Sequence, residues 1–197
     1  MNSLTFYYGT MGAAKSASLL IKRHNFIEKG IETILITPHK DDRFGIGKVK
    51  SRVGIEAEAD IVLKEEDDLI VEVGLVARER AREKGKIVGA IFVEEAQFLT
   101  PKQVEDLAYW VDYEYADVFC YGLKDDFQTK LFPGSKRLIE LADSLHEIEN
   151  LCYTGKKATC NMRIANGKKV EEGEQVEIGD CNYVSVCRKS WTLGKFK

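Results

Sequence analysis

Tyr8-Gly9-Thr10-Met11-Gly12-Ala13-Ala14-Lys15-Ser16 is the stretch on which the reading of this chain turns. The apolar run Leu4 to Tyr8 before it reads as a short buried strand, and Ala17-Ser18-Leu19-Leu20-Ile21 after it reads as the start of a helix. A strand, a tight glycine-bearing turn, Lys-Ser and a helix form the setting of a phosphate-binding loop. Backbone N–H groups at the turn and the helix N-terminus point into one concavity and favour an anion there. Lys15 would reach the terminal phosphates, and the Ser16 hydroxyl would ligate Mg²⁺.

One position departs from G-x-x-x-x-G-K-[ST]. Ala14 stands where the pattern has glycine, the residue used for close approach to phosphate or for positive φ. The extra methyl is expected to weaken ATP binding without abolishing it. The same spacing also suits a strand–helix turn that holds no nucleotide.

A chain of 197 residues suits one domain with a small appendage. It is 44% hydrophobic and 31% charged, enough to bury a core and stay soluble. With 29 basic and 32 acidic residues the net charge is −3, which gives no electrostatic case for nucleic acid or a membrane surface. No apolar run approaches the roughly 20 residues of a membrane span. Met1-Asn2-Ser3 has no signal-type charge and apolar pattern, and the five cysteines then suggest a reducing, cytoplasmic compartment. Four of them, Cys152, Cys160, Cys181 and Cys187, crowd into the C-terminal part and set it apart.

In chain order, Lys15 to Lys29 has helical apolar spacing and ends at Gly30, and Ile31 to Thr37 reads as a strand stopped by Pro38. His39 to Gly54 is polar, glycine-bearing and aperiodic. It is expected to be a loop, mobile without ligand, that orders over phosphates through charges such as Asp41, Asp42, Arg43, Lys48 and Arg52. A strand at Asp60 to Leu63 and a helix from Asp67 to Lys84 follow. Ile87 to Val93 is the strongest buried-strand signal. Thr100-Pro101 opens a helix, Asp117 to Tyr121 is a strand, and Ser135 to Leu145 carries a broad apolar helical face. The alternation implies an α/β fold with a mostly parallel sheet covered by helices. From Leu151 the pattern changes to short strands and turns, with a hairpin signal at Asn166-Gly167.

The second chemical stretch is Val93-Glu94-Glu95-Ala96-Gln97-Phe98, at the carboxyl end of the strongest strand. Ligands of open α/β sheets bind outside those ends. Two adjacent carboxylates there can divide labour, one toward Mg²⁺ and one accepting a proton from a nucleophile. Taken alone, the stretch also fits an ordinary acidic loop. Beside a phosphate loop, a phosphoryl-transfer site is the better reading.

Gly9-Thr10-Met11 through Lys15-Ser16, Glu94 through Leu99, Tyr121-Gly122-Leu123-Lys124-Asp125-Asp126-Phe127, and Tyr183-Val184-Ser185-Val186-Cys187-Arg188 occur in that order. The chain thereby resembles the type II thymidine kinases, particularly their bacterial and phage branch, over nearly its whole length. The resemblance implies a RecA-like P-loop domain, residues 1–150, and a small C-terminal β domain with a lasso loop, residues 151–197. It implies transfer of the ATP γ-phosphate to the 5′-hydroxyl of thymidine, giving dTMP in nucleotide salvage, by a homotetramer.

Carried over by motif, Gly9, Thr10, Met11, Gly12, Ala13, Ala14, Lys15 and Ser16 would hold the ATP phosphates, with Asp41 and Arg43 matching the Asp-x-Arg of a flexible loop. Ser16 and Glu94 would hold Mg²⁺; Glu94 stands where aspartate is usual. Glu95 would be the base on the thymidine 5′-hydroxyl. Met11, Gln97, Phe98, Leu123, Phe127 and Tyr183 would surround thymine. From the residues alone, Phe127 and Tyr183 equally fit ordinary core aromatics.

The family's structural zinc takes four Cys or His ligands from two short motifs. Here Cys152-Tyr153-Thr154-Gly155 has threonine in place of a second cysteine, and Cys187-Arg188-Lys189-Ser190 ends in serine. Cys152 and Cys187 remain as family-matched ligands, so zinc is expected to be absent or weakly held unless Cys160 and Cys181 complete a set. Three readings stand: an active thymidine kinase, a divergent relative that binds nucleoside or ATP with little transfer, and a different P-loop ATPase. The last gives Tyr121–Phe127 and Tyr183–Arg188 no reason to be present.

Overall fold

Alternation of side chains along four strands builds the centre of the molecule. In the computed structural model, which describes residues 2–40, 45–113, 116–176 and 182–197, these are β1 (Leu4–Tyr8), β2 (Glu32–Pro38), β6 (Val88–Val93) and β7 (Asp117–Gly122). Between them in sequence lie α1 (Lys15–Glu28), the short strands β3 (Lys48–Lys50), β4 (Glu56–Glu58) and β5 (Ile61–Leu63), and helices α2 (Leu69–Lys84) and α3 (Pro101–Tyr113). Helix α4 (Pro133–Leu141) and strand β8 (Ser144–Glu147) follow. The strands form a six-stranded sheet in the order β5-β2-β6-β7-β1-β8 with every pairing parallel. This is the α/β architecture with a parallel sheet expected from the sequence.

Ile34, Ile36, Ile91, Val93, Val118 and Cys120 face one side of the sheet and pack with Leu69 and Val73 of α2, Val104 and Leu107 of α3 and Leu138 of α4. The intervening residues Leu35, Ala90, Phe92, Phe119 and Tyr121 face the other side and pack with Leu19 and Leu20 of α1. Both faces are buried, so the strands read as near-continuous apolar runs. Asp68 caps α2 by accepting from the Val71 N–H, and Gly85 ends it in the left-handed region.

The chain from Leu151 onward carries its own apolar cluster. Strands β9 (Cys160–Ala165), β10 (Lys168–Lys169) and β11 (Asn182–Val186) form an antiparallel sheet in the order β10-β9-β11. Cys152, Ala158, Cys160, Met162, Ile164, Val186 and Cys187 are buried together, with Trp191 of α5 (Arg188–Thr192) packed against them. Asn166 and Gly167, both at positive φ, turn the β9–β10 hairpin, as their pairing in the sequence implies.

Two element expectations need correction. The helix expected at Ser135 to Leu145 runs from Pro133 to Leu141, because Ala142 is extended and Ser144–Glu147 pair with β1. The Asp143 carboxylate accepts the Leu4 N–H at 2.8 Å, which fixes that exit. The expected loop His39 to Gly54 contains strand β3, paired antiparallel with β4. Asp41, Asp42 and Arg43 lie outside the described residues, as does Cys181.

Candidate active site

The carboxyl ends of β1, β6 and β7 meet at a cleft of about 480 Å³. Met11, Gly12, Ala13, Ala14, Lys15, Ser16, Glu94, Glu95, Gln97, Phe98, Leu123, Phe127 and Tyr183 all line it. Gly9 and Thr10, expected with them, are buried and do not line it. A Cβ on Gly9 would stand 2.5 Å from the Ile148 carbonyl oxygen, so close backbone approach requires glycine. The Thr10 carbonyl accepts from the Ala13 N–H at 3.2 Å and from the Lys15 ammonium at 2.9 Å.

Ala14 is the residue immediately before α1 and is left-handed, at φ 59° and ψ 28°. Ala14 has no side chain that can cap this helix, and Ala14, Lys15, Ser16 and Ala17 at its start line the cleft. That leaves an anion site at a helix N-terminus. The alanine methyl therefore does strain the loop, at a cost of about 1–2 kcal/mol relative to glycine.

Ser16 donates its hydroxyl proton to Glu94, which is buried at the end of β6. A hydroxyl and a carboxylate oxygen in contact, beside the anion site, are the hard donors that Mg²⁺ accepts. These residues fit the ion. Bound there, it would neutralise phosphate charge.

Glu95 is also buried and left-handed, at φ 46° and ψ 43°. A non-glycine residue in this conformation is kept at a cost and clusters at functional sites. Its carboxylate accepts from the Gln97 side-chain amide, whose oxygen in turn accepts the Leu123 N–H at 2.9 Å. The Gln97 amide thus ties Glu95 to the end of β7 with one N–H and its oxygen, while Gln97 itself lines the cleft. A Cβ at Gly122 would meet the Gln97 oxygen at 2.6 Å, which explains the glycine before Leu123.

The other end of the cleft is apolar and aromatic, with Phe98, Phe127, Phe132, Leu123 and Tyr183. The indole N–H of Trp191 donates to the Phe127 carbonyl at 2.9 Å and ties α5 to this wall. Arg52, one of the loop charges expected to meet phosphate, lines the cleft; sequence reasoning missed its neighbours Lys40, Lys50, Ser51 and Val53, although it marked their segment. It also missed Asn161, Gln175 and Val176. Asn161 accepts the Met11 N–H at 2.9 Å and donates to the Asp125 carbonyl at 3.2 Å. Asn150 and Ser185 donate to the Met11 carbonyl. The Met11 N–H is therefore already committed to Asn161 rather than to phosphate.

A family model described as thymidine kinase matches residues 2–191. The chain belongs to the thymidine kinase family. It is 46% identical over 193 residues to the thymidine kinase of Ruegeria pomeroyi, covering 97% of this chain and 94% of that one. It is 44% identical over 190 residues to the thymidine kinase of Pasteurella multocida, covering 95% of each. The thymidine kinase of Enterobacteria phage T4 is 43% identical over 192 residues, 97% of this chain and 96% of the phage chain. The bacterial and phage likeness read from the motifs is thus found along the whole chain.

The corner corresponding to the family's zinc is differently furnished. Cys152 and Cys187 come together around the Ser190 hydroxyl, at 3.9 and 3.3 Å, and the Thr154 hydroxyl lies 4.0 Å from the Cys187 sulfur. Burial pushes the Cys152 thiol up, but hydrogen bonds from Thr154 and Ser190 outweigh it and bring it to about 6. Ser190 likewise holds Cys187 below the ordinary thiol range. Each thiol is a competent donor; the deficit is in number. Cys160 lies in β9, and among the described residues no three His, Cys, Asp or Glu side chains gather as a metal group. Among the described residues this corner offers two thiols and two hydroxyls, which by themselves do not fit a structural zinc that wants four good ligands.

Proposed function

We propose that this chain is an ATP-dependent thymidine kinase, transferring the γ-phosphate to the 5′-hydroxyl of thymidine to give dTMP in nucleotide salvage. One observation carries the reading. The strained, buried Glu95 shares a single cleft with the Lys15–Ser16 helix start and with an aromatic chamber. Lys15 and the N–H groups at the start of α1 would hold the ATP phosphates. Ser16 and Glu94 would hold Mg²⁺. Phe98, Leu123, Phe127 and Tyr183, with Met11, would enclose thymine, a flat ring suited to aromatic and sulfur-bearing walls.

Glu95 would take the proton of the 5′-hydroxyl as that oxygen bonds to the γ-phosphorus and the bond to ADP breaks. Gln97 would hold the carboxylate in place. Asp41 and Arg43 belong to the same proposal, as neutralising partners of phosphate. A division near residue 150 into a P-loop domain and a lasso-bearing β domain is supported by the separate apolar clusters on either side. A homotetramer in the cytoplasm completes the reading; no helix among the described residues is long and apolar enough to cross a membrane.

Glu95→Gln tests it. The variant keeps an amide partner for Gln97, binds thymidine nearly as the parent does, and loses about 10²–10⁴-fold in turnover. Near-normal turnover would remove Glu95 from the mechanism.

A further inference from the structure

Arg163 lies in the middle of β9 and is completely buried, an uncommon place for arginine. Its described side-chain contacts run to residues that line the cleft or lie beside them. Its Nε donates to the Tyr183 hydroxyl at 2.7 Å. One terminal nitrogen donates to the backbone carbonyls of Glu174 at 2.7 Å and Gln175 at 3.3 Å. Its guanidinium lies 3.7 Å from the centre of the Phe127 ring. Phe127, Tyr183 and Gln175 all line the cleft. The segment containing Glu174 and Gln175 has two further ties to the loop that carries Phe127. Gln128 donates to the Glu171 carbonyl at 2.8 Å, and Gln175 donates to Asp126 at 2.9 Å.

We infer that Arg163 is a positioning residue for the acceptor nucleoside, fixing residues 171–176 as the outer wall of its chamber through the Glu174 and Gln175 carbonyls. The inference rests on the thymidine kinase reading and adds which buried group sets the affinity at that end. A guanidinium suits the task because its planar fork can bond backbone oxygens and a phenol while its face stacks on a ring. These bonds run to Tyr183 and to the segment of Glu174 and Gln175, so the effect is expected on the nucleoside more than on ATP. Gly173 belongs to it: at φ 149° a Cβ there would stand 3.1 Å from an Arg163 nitrogen.

The test is steady-state kinetics on Arg163→Met, Arg163→Lys and Tyr183→Phe beside the parent chain. Hydrogen bonds to a charged group are strong enough that Arg163→Met should raise the KM for thymidine about 10-fold or more, with the KM for ATP within about twofold. Arg163→Lys should recover only part of the loss, since an ammonium cannot reach both carbonyls and the phenol. Tyr183→Phe keeps the ring wall, removes only the acceptor of Nε, and should shift the thymidine KM in the same direction by about threefold. It remains informative if Arg163→Met does not fold. Cleavage by a glutamate-specific protease at Glu171, Glu172 or Glu174 should quicken in Arg163→Met and not in Lys15→Met. A parent chain that does not phosphorylate thymidine overturns the functional reading and this inference with it. An active parent whose Arg163→Met and Tyr183→Phe variants keep the thymidine KM, or lose both KM values in parallel, overturns the inference alone.

Discussion

The proposed phosphate end of the cleft is lined by one run of neighbours, Met11 to Ser16, with Glu94 and Glu95 beyond the tip of β6 in the same sheet. The proposed nucleoside end draws its walls from residues as far apart as Met11, Phe98, Phe127 and Tyr183. At the first end part of the geometry is stored locally, as left-handed backbone at Ala14 and Glu95, beside the Ser16–Glu94 and Met11–Asn161 bonds. Geometry at the second is stored in long-range side-chain bonds from Arg163, Gln175 and Trp191. A change at the first end should therefore act on phosphate and turnover, and a change at the second on nucleoside affinity.

The largest effect in that comparison is expected from Lys15→Met. It removes the only side-chain cation within the phosphate-loop motif and should lower kcat/KM for ATP by about 10²–10³-fold, on the scale of losing one preorganised charge-stabilising group. Thymidine affinity measured by calorimetry should stay within about twofold. Loss of thymidine binding in that variant would mean the two ends are not separable.

Asn161→Leu addresses the joint between them. Asn161 binds the Met11 N–H and the Asp125 carbonyl, so one side chain touches the phosphate loop and the wall before Phe127. Leaving a buried N–H unmatched should cost about 1–3 kcal/mol, a fall in Tm of roughly 2–12 °C. The KM values for ATP and thymidine should both rise. A rise in only one would show that Asn161 serves that end alone.

The two ends also differ in how far the sequence revealed them. Glycine-bearing turn, Lys-Ser and helix are consecutive, so the strand–turn–helix was legible from local chemistry, and of the two uses of glycine weighed at position 14, positive φ is the one that Ala14 adopts. The backbone of Glu95 left no comparable trace, since glutamate is not a residue that signals positive φ. Arg163, between Met162 and Ile164 on a strand, reads by alternation as an outward-facing polar residue. It is buried because the segment ending in Gln175 and the Phe127 ring cover that face, a contact no local pattern encodes. Leu145 misled for a similar reason. It continues the apolar spacing of α4, yet pairing of Ser144–Glu147 with β1 overrides helical periodicity.

Ala14→Gly should have a smaller effect, and a favourable one. Releasing about 1–2 kcal/mol of left-handed strain, less the roughly 0.4–1 kcal/mol that glycine costs through unfolded-chain entropy, should stabilise the chain by about 0.5–1 kcal/mol, raising Tm by roughly 1–4 °C. The KM for ATP should fall while the KM for thymidine does not move. An unchanged or higher KM for ATP would show that this loop tolerates alanine.

The smallest change is expected at the corner of Cys152, Thr154, Cys187 and Ser190. Metal analysis of purified protein should find less than one zinc per chain, and a mild chelator should leave Tm unaltered. One zinc per chain surviving chelation would mean that further ligands complete the set.

The account's central claim is that both ends serve one transfer. ATP labelled at the γ-phosphate, incubated with the chain, Mg²⁺ and a panel of deoxynucleosides, tests it most directly. Label should appear on the 5′-oxygen of thymidine, with thymidine preferred among the panel. Saturable binding of ATP and thymidine with no labelled dTMP would contradict the claim and mark the chain as a relative that binds without transferring phosphate.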